Sequence, residues 1–358
     1  MKNNARFARL KILAVVLTVC GLALFSYFVY TAGVGEILDG IRNLGFGFLV
    51  VLLIYSGKIS MRAYGWTLCV EKPYKLKFVE AFKAVVIGES LSSLLPLGIL
   101  VSGTSKAVVV RKQIPLVVGL SSIAIENLFY SLMTGIMISG GTIVFLHTLH
   151  PSENLITAGY TLIAVIAALT IGGFFMVVQE WRFASSLANW LYNRRVAVKL
   201  LHHGRAEVLR FEDLIYGFYR RHPEKFLPLV MLLTVFHALG VLEVWFILRS
   251  ISDVLPDFLT AFLLESVNRI ILVVFKLVPF LVGVDEAGAQ FITDGLKLGA
   301  AVGVTLAIVR KGRMLFWTLI GMALLVKRGL SWRKLLDSAD EDSEEIQPDK
   351  IEREPERV

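Results

Sequence analysis

The chain of 358 residues is 56% hydrophobic and carries a formal net charge of +8. This composition, with a mean hydropathy of +0.68, excludes an ordinary water-soluble globular protein, and the two cysteines, which lie in separate apolar runs, exclude a disulfide framework. Because clustered Lys and Arg beside apolar runs favour anionic lipid surfaces, the positive charge indicates a membrane and not nucleic acid.

Apolar runs close to the roughly 20 residues that cross a bilayer predict an all-α integral membrane protein with about six transmembrane helices. The predicted spans are 10–30, 44–70, 115–146, 156–178, 226–248 and 299–326. Basic segments lie at 1–9, 71–77 and 180–225 and follow residue 326, which places both termini in the cytoplasm. Residues 1–336 form the membrane domain, and the acidic residues 337–358 are predicted to be a disordered cytoplasmic tail.

Two further apolar stretches are interrupted. In residues 78–110 the break comes at Pro96, and in residues 258–297 it comes at Pro279. Non-helical backbone at membrane depth is tolerated only where protein covers it or water reaches it. We therefore predict two re-entrant helical hairpins, although residues 258–281 are also long enough for a full span.

The two interrupted stretches belong to segments that resemble each other, 78–135 and 258–321. Glu126 follows Pro96 by thirty residues, and Arg310 follows Pro279 by thirty-one. The flanking charges orient the two segments oppositely, which is the inverted-repeat layout of many secondary transporters. Chance similarity of two apolar segments is the alternative.

Charged residues inside the predicted membrane are the main candidates for function, because each costs at least about 2.5–3.5 kcal/mol at a helix centre when unpaired. They are Lys58, Glu89, Glu126, Glu265, Arg269, Lys276, Asp285, Glu286 and Arg310. Glu126 and Arg310 occupy equivalent repeat positions with opposite sign, so we predict that they pair and gate or couple the two halves. A static architectural pair is the alternative. Lys58 is predicted to be buried, whereas we expect Arg62 to extend toward the cytoplasmic interface.

The hairpin tips carry different chemistry. In the first, Ser102, Thr104 and Lys106 surround a predicted helix start, where free amides and hydroxyls hold phosphate. In the second, Asp285 and Glu286 are expected to bind a proton or a cation, or to cap the following helix. The histidines lack the partners of a metal site, and no catalytic motif occurs, so neither a metal nor an enzyme activity is predicted.

The basic segment 180–225 also contains Trp181, Phe183, Leu187, Trp190 and Leu191. Aromatic residues interleaved with charges are typical of helices that lie on a membrane surface. A solvated linker helix is the alternative.

Two stretches carry a family resemblance: SLLPLGILVSGTSKAVVVRKQIPLVVGLSSIAIEN, and KLVPFLVGVDEAGAQ followed by AIVRKGRMLFWTLIG. This pattern resembles the lysylphosphatidylglycerol synthase transmembrane, or flippase-like, family over most of residues 10–327. The resemblance implies lipid handling, since the best-known members join this region to a cytosolic aminoacyl-transferase domain and move the modified lipid between leaflets. For this sequence we expect the short acidic tail to stand in place of that domain. The first tip departs from the family's glycine-rich PGGxG-like pattern.

The leading hypothesis is a translocase of the bacterial cytoplasmic (inner) membrane that moves an anionic or polyprenyl-phosphate-linked lipid without a cofactor. The predicted headgroup-binding residues are Lys58, Ser102, Thr104, Lys106, Arg111 and Arg269. The alternative is a non-catalytic membrane subunit that scaffolds an envelope-lipid enzyme, and a third hypothesis is a membrane-embedded transferase. The partners expected are a phospholipid or polyprenyl lipid, such an enzyme and further copies of the chain.

Overall fold

The computed structural model describes residues 25–94, 98–149, 151–194, 198–252, 254–275 and 281–328. Several predicted features lie outside these residues. They are most of the first predicted span, the breaks at Pro96 and Pro279, Lys276 and the acidic tail.

Every regular element in the described residues is helical. Helix α1 is described over residues 25–32, and a 3₁₀ turn, Pro223–Lys225, precedes α10. The other helices are α2 Val34–Leu44, α3 Gly47–Cys69, α4 Phe78–Leu94, α5 Gly98–Val109, α6 Leu116–Leu149, α7 Glu153–Val178, α8 Phe183–Asn193, α9 Val198–Arg221, α10 Phe226–Ile251, α11 Phe258–Val274, α12 Val284–Gly295 and α13 Ala300–Lys327.

Within the described residues, four helices are long and apolar enough to cross a membrane: α3, α6, α7 and α10. Helix α7 has no buried residue in its most apolar window, so its apolar side chains need a lipid environment. Helix α13 has 28 residues, but three basic residues interrupt its centre, Arg310, Lys311 and Arg313. The prediction of an all-α membrane protein is confirmed, while the number of spans stays a prediction.

Two sets of four helices have matching lengths. We name α3–α6 the first unit and α10–α13 the second unit. Their helices have 23, 17, 12 and 34 residues in the first unit and 26, 17, 12 and 28 in the second. The packing between units follows the same correspondence, because α3 packs on α10, α4 on α13 and α11 on α6.

The corresponding helices α3 and α10 run antiparallel. A Cβ atom built on Gly47, at the start of α3, would meet the ring of Phe246 near the end of α10. A Cβ atom on Gly65, near the end of α3, would meet Leu229 near the start of α10. The two units therefore have opposite orientations, as an inverted repeat requires.

The first hairpin, α4–α5, starts and finishes at one end of the bundle. The backbone N–H of Lys77 donates to Oε1 of Gln113 at 3.2 Å. At the same end, a guanidinium nitrogen of Arg328 lies 3.0 Å from the carbonyl oxygen of Val109, and Arg328 also pairs with Glu80. We name this the basic end of the bundle.

The second hairpin, α11–α12, starts and finishes at the other end. The rings of Trp245 and Phe258 stack with centroids 4.9 Å apart, which places the start of α11 beside the end of α10. A Cβ atom on Gly295 would meet Leu149, the last residue of α6. Both hairpins therefore have the connectivity of re-entrant elements, while their depth in a membrane stays a prediction.

Candidate functional site

The centre of the bundle contains a set of charged side chains that are buried or nearly so, which we name the charge network. Its members come from both units. They are Lys58, Arg62, Lys106, Glu126, Glu243, Glu265, Arg269, Asp285, Glu286, Arg310, Lys311 and Arg313. Charges are this deeply buried only where they are paired or where function requires them.

Within the charge network, Glu265 on α11 has the most cationic neighbours among the described residues. Its Oε1 pairs with Arg269 one turn further along the same helix. Its Oε2 lies 3.3 Å from a guanidinium nitrogen of Arg310, and Lys58 Nζ lies 3.7 Å from its Oε1. The predicted burial of Lys58, Glu265, Arg269 and Arg310 is thus observed, with exposures between 2% and 6%.

Lys58 connects the two units. It belongs to α3, and its Nζ lies 3.5 Å from Oε2 of Glu243 on α10. The same ammonium group lies 5.5 Å from the ring centre of Tyr55 and 5.4 Å from that of Phe236. Aromatic faces of this kind add electrostatic attraction for a desolvated cation. Lys58 is therefore held by both units simultaneously.

The acidic tip of the second hairpin is already neutralised by basic residues of α13. Lys311 Nζ lies 2.6 Å from Oε1 of Glu286 and 3.8 Å from Oδ2 of Asp285, and Arg310 lies 3.5 Å from Oδ1 of Asp285. Glu286 also accepts a 2.8 Å hydrogen bond from the N–H of Gly283. Glu286 is therefore the capping residue, and the prediction that Asp285 caps the helix is wrong.

Glu126 pairs with Arg62, and not with Arg310 as the repeat had predicted. The guanidinium group of Arg62 donates to both carboxylate oxygens of Glu126, at 2.9 and 2.7 Å. It also donates to Oδ1 of Asn127 at 2.9 Å and lies 4.3 Å from the centre of the Tyr130 ring. The predicted extension of Arg62 to the interface is therefore also wrong, since its side chain is 12% exposed.

Symmetry explains why the predicted pair does not form. Glu126 and Arg310 each lie ten residues after the start of their helix. Helix α6 starts at the basic end, whereas α13 finishes there. Equivalent residues of two oppositely oriented units thus lie at equal depths measured from opposite ends, and they meet only if they are close to the symmetry axis.

Each unit instead has its own ion pair between corresponding helices, with the signs reversed. In the first unit, Arg62 on α3 pairs with Glu126 on α6. In the second, Glu243 on α10 pairs with Arg313 on α13. Arg62 lies seven residues, or about 10 Å, from the end of α3 at the basic end. Glu243 lies eight residues, or about 12 Å, from the end of α10 at the opposite end.

Lys106 is the network cation for which no carboxylate oxygen lies within 4.0 Å among the described residues. Its side chain crosses Gly88, where a Cβ atom would come within 2.6 Å of Lys106 Cε. Lys106 is 6% exposed and lines a narrow crevice with Arg62, Trp66, Val85, Ile123 and Glu126. An anion is therefore the ligand that this crevice would stabilise best.

The other predicted headgroup residues do not form an amide cradle around this crevice. Helix α5 begins at Gly98, so the amides of Ser102 and Thr104 lie beyond its first turn and are used within the helix. Predicting free amides at these positions was wrong for that reason. Arg111 is exposed in the turn after α5, at the basic end of the bundle.

A second crevice lies between the units, where α3 and α4 meet α13. It is lined by Tyr55, Ile59, Val86, Glu89, Ser90, Ser93, Met314, Trp317 and Thr318. The hydroxyl of Tyr55 donates to Oε2 of Glu89 at 3.1 Å. Tyr55, which contacts Lys58 of the charge network, and its partner Glu89 thus extend the polar side chains to the place where the first unit meets α13.

Comparison with protein families agrees with this architecture. The family model for the lysylphosphatidylglycerol synthase TM region matches residues 11–321. The chain belongs to this family. The resemblance noted from the hairpin sequences is thereby confirmed, and the chain is a multi-pass membrane protein with a lysylphosphatidylglycerol synthase TM domain. No curated protein and no solved structure matches it.

For this member of the lysylphosphatidylglycerol synthase TM family, three network residues were not predicted from the sequence. Glu243, Lys311 and Arg313 lie inside apolar helices, which is the same feature that singled out Lys58. Arg62 was predicted to extend to the interface, and the structure places it in the network instead. No group of three or more possible metal-binding His, Cys, Asp or Glu side chains occurs in the described ranges.

Proposed function

We propose that the protein is a translocase that moves an anionic or polyprenyl-phosphate-linked lipid across a bacterial cytoplasmic membrane, with both termini in the cytoplasm. The observation that supports this most directly is Lys106, a lysine that is 6% exposed, lies beside a crevice and has no carboxylate oxygen within 4.0 Å among the described residues. Leaving a cation unpaired at membrane depth is costly. A phosphate group of a lipid supplies the charge that Lys106 lacks.

The two sign-reversed ion pairs act as the gates in this proposal. Arg62 and Glu126 close the path about 10 Å from one end, and Glu243 and Arg313 close it about 12 Å from the other. A phosphate that approaches Lys106 competes with Glu126 for Arg62, so binding weakens the first gate. Because the units are oppositely oriented, opening the second gate exposes the path to the other leaflet.

Lys58 couples the gates, because it contacts Glu243 of the second gate and belongs to the same helix as Arg62 of the first. The proposal contains no covalent step. The carboxylates of the second unit serve to hold Lys58, Arg269, Arg310 and Lys311 in place, and the lipid tails stay in the bilayer throughout.

The test is movement of fluorescent lipids between leaflets of proteoliposomes, with an anionic phospholipid and a polyprenyl phosphate as separate probes. Wild-type protein is expected to move at least one of them. Lys106→Gln should reduce the rate at least tenfold, and Lys106→Arg should retain part of it. Lys112→Gln, which alters an exposed lysine of the same basic end, is the matched control and should be unaffected.

Two results would contradict the proposal. One is that well-folded wild-type protein moves neither lipid, which favours the scaffold hypothesis. The other is that Lys106→Gln moves lipid as fast as Lys112→Gln. Deleting residues 337–358 adds a further comparison, because a self-contained translocase should keep its rate without this tail, whereas a scaffold that recruits its enzyme through it should fail.

A further inference from the structure

Helix α8 directs a row of large apolar side chains away from the rest of the protein. Phe183, Leu187 and Trp190 recur at helical spacing and are 67%, 44% and 53% exposed. Ser185 and Ala188, on the opposite side of α8, are buried, and α8 packs on α9. The outward row, which we name the aromatic face, therefore points away from α9 and is largely exposed.

The orientation of this face is fixed by α9. Oε1 of Glu212 accepts hydrogen bonds from the N–H groups of Ala184 and Ser185 at 2.7 and 3.3 Å, so a carboxylate on α9 caps the start of α8. The hydroxyl of Tyr216 donates to the carbonyl of Trp181 at 2.6 Å. The aromatic face is thus held in place by polar contacts on its far side.

The aromatic face continues the lipid-facing surface of α7. Helix α7 ends at Val178, five residues before α8 begins. The rings of Phe175 and Trp181, which are 52% and 62% exposed, lie 6.5 Å apart across this connection. Because α7 presents its apolar side chains to lipid, a helix that starts beside its end lies at the level of the headgroups.

The sequence that follows the start of this face is rich in positive charge. Residues 182–210 contain six Lys or Arg and one acidic residue. The guanidinium group of Arg194 lies 5.2 Å from the ring centre of Trp190, at the end of α8. Aromatic side chains beside basic ones suit the boundary between the acyl chains and anionic headgroups.

We propose that α8 docks on the anionic lipid surface at this end of the protein, with Phe183, Leu187 and Trp190 inserted at the boundary of the acyl chains. This inference concerns a surface remote from Lys106 and holds whether or not the protein moves lipid. A membrane surface is favoured over a protein partner by the continuity with α7, by Arg194 beside Trp190 and by the basic sequence of residues 182–210.

The experiment places a nitroxide label on each side of α8 in full-length protein. Leu187→Cys reports on the aromatic face, and Asn189→Cys, on an exposed polar side, is the matched control. Both are made with Cys20→Ser and Cys69→Ala so that one label attaches. The proteins are reconstituted in nanodiscs with or without phosphatidylglycerol, and collision rates with oxygen and a water-soluble nickel chelate are measured.

With phosphatidylglycerol present, the ratio of oxygen to nickel collisions should be several-fold higher at 187 than at 189, and this excess should shrink in purely zwitterionic nanodiscs. Equal ratios at 187 and 189 would overturn the proposal and leave the aromatic face free for a protein partner. An excess that does not depend on phosphatidylglycerol would overturn its anionic part. Phe183→Cys repeats the measurement if Leu187→Cys does not fold.

Discussion

The pairing of Arg62 with Glu126 is tested by changing each residue to Gln, singly and together. The pair has two hydrogen bonds of 2.9 and 2.7 Å, and its side chains are 12% and 5% exposed. Removing one partner of a buried pair leaves the other charge without compensation and costs about 3–5 kcal/mol. Removing both costs much less than the sum, so we expect a coupling energy of about 2–3 kcal/mol.

The assay is reversible unfolding in mixed micelles, followed by circular dichroism, for wild type, Arg62→Gln, Glu126→Gln and the double variant. Arg42 and Asp39 provide the control cycle, because their nitrogen and oxygen lie 3.2 Å apart but the side chains are 76% and 69% exposed. An exposed pair of this kind should couple by no more than about 0.5 kcal/mol.

Equal coupling energies in the two cycles would contradict this prediction. In that case the geometry of the first pair contributes nothing beyond an ordinary surface contact, and its assignment as a gate loses its energetic basis. A large coupling energy that survives high salt would agree with a pair shielded from water.

Two more predictions concern residues outside the charge network. Gly141→Ala places a methyl group against the side chain of Ser266 and should destabilise the protein by about 1–3 kcal/mol. By contrast, a Cβ atom at Gly172 meets no atom within 4 Å, so Gly172→Ala should stabilise α7 by up to about 1 kcal/mol. A thermal melt in which the Gly141→Ala variant is the more stable of the two would contradict this packing. Asp257 accepts a 2.8 Å hydrogen bond from the N–H of Thr260. Hydrogen bonding to the side chain of Thr260, and then to this N–H, lowers the pKa of the Asp257 carboxyl group. Because the pKa of Asp257 is lower in the folded than in the unfolded state, its carboxylate stabilises the protein fully above the unfolded-state pKa, and this stabilisation is lost as the pH falls through the folded-state pKa. Asp257→Ala should therefore cost about 1 kcal/mol of stability near neutral pH and much less near pH 2. An equal cost at both pH values would show that the ionised cap contributes nothing.

Much of the fold was predictable because apolar length and broken runs are local properties of the chain. The opposite orientation of the two segments followed from the flanking charge. In the structure, α4–α5 starts and finishes at the basic end of the bundle, and α11–α12 starts and finishes at the opposite end. Burial of Lys58, Glu265 and Arg269 was predictable for a similar reason. A charged residue within a long apolar run can be recognised from the sequence on either side of it, without knowledge of its partners.

Partners were not predictable in this way. The predicted pair of Glu126 and Arg310 rested on their equivalent positions in the two repeat units. Such equivalence fixes only how deep each residue lies from its own end of the bundle. Which charges meet depends on helix rotation and on the distance of each residue from the symmetry axis. Arg62 shows the same limit, because its distance from the end of α3 allows an interfacial position, and only the placement of α6 brings Glu126 within reach.

The long separation between Lys58 and its partners has a consequence for how the protein is made. Glu243 lies 185 residues further along the chain, while Glu126, the partner of Arg62, lies 64 residues beyond it. A ribosome therefore delivers α3 to the membrane with two cations before any of their carboxylates exists. Arg62 is neutralised once α6 has inserted, but Lys58 stays uncompensated until α10 arrives. The first unit is therefore fully inserted only after the second unit has been synthesised. A chain truncated before α10 should be retained by the insertion machinery or degraded.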